Sequence, residues 1–427
     1  MTHTPARSDG YLLAIGAHMA LRERALVSAI RLFPGPIATI FAAPGARSAK
    51  FFDHIITGDP FAPRAALEAV QAFERETGLR PAAVVPFIDG GLWAGFAIAE
   101  HYGVPYLSRE AIENSSINKD RMKDVLRAAG VRTPRYVKVA GAAEVAAAVA
   151  ELGLPCVIKP AAFGGSLGVR LVGSTAEAQE AFRYVMEIID RNAATFSVVN
   201  RSVQVEEFCD LTEEVSVEVL NHGDRREVLA VVDKALGPRP HFAEIGHRVP
   251  SVHTDDTELR DLAVRACQAI GLDRGLAHVE IRRQDGHEPA VIEVGARTAG
   301  GGILDQVERA TGLAPYALHI ASYLDLDPDF PDPGPTSPEA RGVAAIAVLK
   351  ADNGTITAID APSRVPEVVT AYEVSATVGA VSEPPANYLT REGYVECFWP
   401  GRKAQDVPPA EHLDIADDLA AQIFRVT

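Results

Sequence analysis

The chain has 427 residues, 47% hydrophobic and 23% charged, which predicts two or three globular domains and excludes a disulfide miniprotein, a collagen-like fibre and a disordered chain. With 41 Lys and Arg against 57 Asp and Glu, the net charge of −16 repels polyanions, so neither nucleic acid nor an anionic membrane surface is an expected partner. No run is apolar enough to span a membrane or serve as a secretory signal, and four scattered cysteines offer no CxxC spacing, so a cytoplasmic protein with free thiols is expected.

In chain order, residues 11–17 (YLLAIGA) read as a short strand, 20–33 as a helix and 37–42 as a second strand, the grammar of a β–α–β unit. A helix at 65–77 leads to a strand at 82–87, then to Asp89-Gly90-Gly91, an apolar helix through Ala99 and a turn at 103–105. Strands alternating with helices predict a doubly wound parallel sheet over residues 1–112, with ligands beyond the carboxyl ends of its strands. Asp89 reads as a turn former.

A helix over 119–129 stops at Gly130, a strand follows at 136–139, and an Ala-rich helix over 142–152 ends at Gly153. CVIKP, from residue 156, opens a strand with a lysine inside it. Further strands are expected at 203–206, 215–220, 227–232, 276–282 and 290–294, with a helix at 256–271. The Pro-rich stretch 327–338 reads as a linker, and beyond it a β-hairpin is expected around Asp352-Asn353-Gly354. The expected domains are 1–112, 113–201, 202–330 and 331–427.

Three constellations carry chemistry. Lys159 precedes the loop Phe163-Gly164-Gly165-Ser166-Leu167-Gly168, and a strand lysine beside a loop without bulk suits phosphate, because backbone N–H groups can approach the oxyanions. The same residues also read as an edge-strand lysine beside a flexible hairpin. Glu280 and Glu293 lie on two strands joined by a short turn, which can place both carboxylates on one hard cation such as Mg²⁺; two solvated surface glutamates are the plain alternative. Glu206, Glu207 and Phe208 end a strand that resumes near Glu214, a break that can present backbone groups to an adenine edge and a carboxylate to a ribose.

In this order the three pieces resemble the ATP-grasp superfamily. The resemblance implies an α/β and α+β fold in which an N-terminal doubly wound domain precedes two α+β subdomains that enclose ATP. It implies that Lys119 and Lys159 contact the phosphates, that Glu206 and Phe208 lie at the adenine hinge, and that Glu214 accepts from the ribose. Glu280 and Glu293 match the Mg²⁺ ligands, and Arg297 matches the arginine at the reacting centre. Two departures stand out: Gly295 occupies the asparagine position of the family's Glu-x-Asn-x-Arg pattern, and no glycine separates the hinge from Glu214.

Residues 240–251 look like the substrate loop of the carboxylate–amine ligase branch, which includes L-amino acid ligases. There Glu244 can hold an ammonium and His247 can accept a proton or orient a carboxylate; a solvated loop with incidental histidines is the alternative. The resemblance implies an ADP-forming ligase acting through an acyl phosphate on small carboxylate and amine substrates. Rival readings are a biotin-carboxylase-like or purine-pathway enzyme, a carrier-protein-loading ligase and an ATP sensor without turnover. A homodimer is the default assembly.

Overall fold

A computed structural model describes residues 10–17, 23–41, 47–192, 200–326 and 341–427. The expected linker at 327–338 lies outside them. None of the described helices is long and apolar enough to cross a membrane.

Strands β1 (Gly10–Ile15), β2 (Ile37–Phe41), β3 (His54–Thr57) and β4 (Arg80–Pro86) form a parallel sheet ordered β3-β2-β1-β4. All of β1 is buried, and its residues divide between two cores: Leu12 and Ala14 face one, Tyr11, Leu13 and Ile15 the other. A parallel strand covered on both faces is therefore a continuous apolar run, as YLLAI is. Just past the carboxyl end of β4, the tight turn Asp89–Gly91 leads into helix Leu92–Tyr102.

Next come β5 (Tyr136–Val139), β6 (Cys156–Pro160), β7 (Arg170–Val172) and β8 (Val203–Glu207), an antiparallel sheet ordered β5-β8-β6-β7. Helices Ala142–Leu152 and Thr175–Asn192 cover it around a core of its own that includes Val149, Ile158, Phe182 and Val205. This unit is the lid over the cleft described below. Helix Thr175–Asn192 escaped the sequence reading, although Ala178, Phe182, Val185 and Ile189 mark one face at helical spacing.

The chain continues through β9 (Glu213–His222), β10 (Arg225–Leu236), β11 (Glu244–Val249), β12 (Arg274–Gln284), β13 (His287–Gly295) and β14 (Gly342–Leu349). It ends with β15 (Gly354–Ile359), β16 (Val369–Val374), β17 (Val381–Ser382), β18 (Gly393–Pro400) and β19 (Phe424–Val426). Among the described residues, one eight-stranded sheet has the order β13-β12-β9-β10-β11-β14-β18-β16, and a small one the order β17-β15-β19. Helix Thr257–Ile270 packs on the large sheet; the Asp256 side chain accepts from the N–H groups of Glu258 and Leu259, and Gly271 closes the helix in a left-handed conformation.

Two expectations need correction. The turn at Asp352-Asn353-Gly354 does not close a hairpin: β14 pairs with β11 and β18, whereas β15 pairs with β17 and β19. Burial explains this, since β14 (GVAAIAVL) is buried almost throughout, as an inner strand must be, while β15 is mostly accessible. Residues 244–249 are not loop but strand β11, inserted between β10 and β14. The solvated loop that was the alternative reading does not hold either: Arg248 is buried, pairing with Asp233 at 2.7 Å and donating to the Val407 carbonyl at 2.8 Å.

Candidate active site

The lid and the large sheet meet at one cleft, partly open to solvent. Lys119, Lys159, Ser166, Glu206, Glu207, Phe208, Glu214, Glu244, Glu280, Glu293 and Arg297 all line it. His247 stands just behind, with Nδ1 3.1 Å from Glu244 Oε1.

On the lid, the glycine loop between β6 and β7 reverses the chain through left-handed Gly165 and Ser166. A Cβ on Gly165 would meet Tyr388 Cδ1 at 2.6 Å, so this position needs glycine for space as well as for its φ of 64°. Ser166 Oγ donates to the Phe242 carbonyl at 3.0 Å, tying the loop to the far wall. Lys119 begins helix Lys119–Ala128; its N–H donates to Ala161 O at 2.9 Å, and its ammonium donates to Phe163 O at 2.8 Å and lies 3.1 Å from Glu293 Oε2.

Glu206 is inside the lid, not at its rim. Its carboxylate lies 2.5 Å from both the Lys159 and Lys123 ammonium groups. Burial opposes its ionisation, but the two cations overcome this and hold the carboxyl below its ordinary range. Lys123, fully enclosed, is pulled down to about 8 by burial against the attraction of Glu206. The Glu207 carboxylate turns outward to Arg135, 3.0 Å away, and leaves the backbone at the cleft. Beyond it Phe208 and Phe242 stack at 5.9 Å, and with Leu236, Ile292 and Val157 they make an apolar slot suited to a flat ring.

Glu280 and Glu293 face each other directly in the β12–β13 register, so both carboxylates leave the same face. Their hard oxygen donors suit Mg²⁺, and no group of three or more such donors exists among the described residues. The pair therefore fits a cation that completes its shell with water and phosphate oxygens. Behind Glu280 stands His278, with Nε2 3.4 Å from Glu280 and Nδ1 2.8 Å from the wholly buried Glu218. Burial disfavours the imidazolium, yet Glu218 and Glu280 raise it to about 9.

Lys234, on β10, is a site residue that the sequence reading missed. Its ammonium is 2.5 Å from Glu280, 3.3 Å from Glu214 and 3.3 Å from Glu244, with only 4% of the side chain exposed. Against the cost of burial, these three carboxylates drive Lys234 well above its ordinary value, while Lys234 and His278 in turn overcome burial and hold Glu280 far below its own. Glu214, buried and beside Glu280, is pushed up instead. His247 is 1% exposed and held below its usual value by burial, so its ring is neutral near pH 7.

Asp89 was read as a turn former, and it does open a turn, but its carboxylate also binds Arg297 Nε at 2.7 Å and accepts from Ser116 Oγ at 3.0 Å. Burial penalises that charge and Arg297 more than restores it.

This is an ATP-grasp fold, and residues 152–306 match the ATP-grasp domain family. Among curated proteins, the chain is 30% identical over 313 residues to the uncharacterized protein y4rH of Sinorhizobium fredii, covering 72% of this chain and 62% of that protein. It is 27% identical over 249 residues to the alanine–anticapsin ligase of Bacillus subtilis, covering 55% and 52%. The chain thus spans less than two thirds of these curated relatives' length. The structure of L-amino acid ligase from Bacillus licheniformis superposes with a TM-score of 0.80 at 22% identity, covering 99% of this chain and 100% of that one.

Proposed function

We propose that the chain is an ADP-forming ligase that uses ATP to join a carboxylate to an amine, with an amino acid or small peptide on at least one side. The observation that supports this reading is a single cleft holding a glycine loop with two lysines, a register-paired carboxylate couple and Arg297. The likeness to alanine–anticapsin ligase points the same way.

Lys119, Lys159 and the loop N–H groups hold the terminal phosphates while the apolar slot at Phe208 takes the adenine and Glu214 the ribose. Glu280 and Glu293 would hold Mg²⁺, which would supply charge neutralisation for the triphosphate. The acid's carboxylate attacks the γ-phosphorus, the bond to the β-phosphate oxygen breaks with its electron pair on ADP, and an acyl phosphate forms. Neutral His247 takes a proton from the ammonium of the second substrate, whose nitrogen attacks the carbonyl. Arg297 stabilises the oxyanion, the carbon–oxygen bond to phosphate breaks with its electron pair on the phosphate, and the departing phosphate takes the remaining extra proton from the new amide nitrogen. The four cysteines are free thiols and take no part, which suits a reducing cytoplasmic compartment.

The test is phosphate release over all pairwise mixtures of amino acids, with the nucleotide product identified. ADP is expected, with Glu293→Ala lowering turnover by about a thousandfold or more while the fold is retained. AMP and pyrophosphate, or wild-type turnover in Glu293→Ala at saturating Mg²⁺, would overturn the reading.

A further inference from the structure

Arg391 reaches the cleft from the segment between the small sheet and β18. The backbone around it is firmly held. Asn387 and Thr390 cap the short turn Tyr388–Thr390, and the Tyr388 N–H donates to the Gly165 carbonyl of the glycine loop at 3.2 Å. On the other side, the Glu392 carboxylate accepts from Lys350 Nζ at 2.5 Å and from the Ala351 N–H at 2.6 Å. A side chain carried by such a segment is pre-organised.

The guanidinium itself is underused. Its one hydrogen bond among the described residues runs from a terminal nitrogen to the Glu244 carbonyl at 3.3 Å, and its Nε is buried without a partner. A cation fixed at a cleft wall with donors to spare is a receptor for an anion. What lies opposite identifies the anion. A Cβ built on Gly301 would stand 3.6 Å from Glu244 Oε1, 3.7 Å from an Arg391 terminal nitrogen and 3.8 Å from His247 Cε1. A carboxylate, a guanidinium and a neutral imidazole thus surround one small space, and the buried His247 Nε2 has no hydrogen-bond partner either.

We infer that Arg391 binds the α-carboxylate of the amine-donating substrate, so that this substrate is an α-amino acid recognised as a zwitterion between Glu244 and Arg391. That this substrate donates its nitrogen rests on the ligase reading. A carboxylate paired with a guanidinium is withheld from the phosphorus, so the molecule in this space offers its nitrogen, and Glu244 and His247 stand where that nitrogen must be bound and deprotonated. The product then keeps a free carboxylate at Arg391.

The test is equilibrium binding to the full chain with Mg²⁺ and a non-hydrolysable ATP analogue, titrating each standard L-amino acid and then the α-carboxamide of the tightest binder. The wild type should prefer the free acid by about ten- to a hundredfold. Arg391→Gln should bind acid and amide equally weakly with ATP-analogue affinity unchanged, and Arg391→Lys should recover part of the preference. Wild-type preference retained in Arg391→Gln overturns the inference, as does a wild type that binds no amino acid or does not distinguish the amide. Preference without any ADP release in the turnover assay upholds the zwitterion pocket and sinks the ligase reading instead.

Discussion

Lys159 and Lys234 line the same cleft from different sheets, and their surroundings are opposite in sign. On the lid, one carboxylate, Glu206, is shared by two ammonium groups, those of Lys123 and Lys159. On the large sheet, one ammonium, that of Lys234, is shared by Glu214, Glu244 and Glu280. The lid is left with positive charge to spare, and the sheet with negative charge to spare. The cleft is therefore polarised in advance for a ligand that is anionic on one side and cationic on the other, which is the charge pattern of a phosphate chain lying against a metal ion and an ammonium.

The largest expected effect comes from removing the ammonium that the three carboxylates share. Lys234→Met leaves three buried carboxylates with no shared counter-charge, and truncating one partner of a buried ion pair costs about 3–5 kcal/mol. Urea denaturation should show a loss of that order, and turnover should vanish. Mg²⁺ should raise the variant's Tm by more than it raises the wild type's, because a divalent cation beside Glu280 replaces part of the missing charge. Equal stabilisation of both proteins would separate Lys234 from the cation-binding face.

The comparison also shows which parts of the molecule were legible in the sequence. β5, β6 and helix Ala142–Leu152 have the expected bounds because each is a local pattern with its own stop: Pro134 before one, Gly153 after another. The lid lysine was legible because Lys159 and its glycine loop are neighbours in the chain. Lys234 was not, since the expected strand ended at Val232 and its partner Glu280 lies 46 positions away. Asp89 and Arg297 are 208 positions apart, and Arg391 is 147 from Glu244. The same limit misled the hairpin at Gly354, where the turn signal was real but the strands found distant partners. β11 was misread for a different reason: its charges are paired inside the sheet, and pairing leaves no local trace.

A smaller, pH-dependent effect is expected on the lid. Glu206 titrates below its ordinary range in the folded protein, so its contribution to stability is present above the unfolded carboxyl value and is lost as pH falls through the folded one. In Glu206→Gln that contribution is missing at every pH. The difference in unfolding free energy between wild type and variant should therefore be full at pH 7, begin to shrink below about pH 4.5, and close at still lower pH. ATP affinity should move little, since Lys159 still lines the cleft and bound phosphate itself favours its charged form. A difference that stays constant down to pH 2 would mean that Glu206 stabilises the lid by packing and hydrogen bonding and not through its charge.

The smallest effect belongs to Glu207, one residue further along β8, and it separates a buried charge from an exposed one. Its carboxylate is 43% exposed, Arg135 is 57% exposed, and they meet at 3.0 Å on the outer side of the lid. Exposed pairs of this kind contribute about 0.2–1 kcal/mol, because solvent screens the attraction and two long side chains must be ordered to make it. Glu207→Gln should change stability by no more than that and leave the KM for ATP unaltered, the backbone at the hinge being the part that faces the cleft. A severalfold rise in that KM would mean that the carboxylate swings inward when nucleotide binds, giving the adenine end of the cleft a charged contact that the stacked Phe208 and Phe242 do not supply.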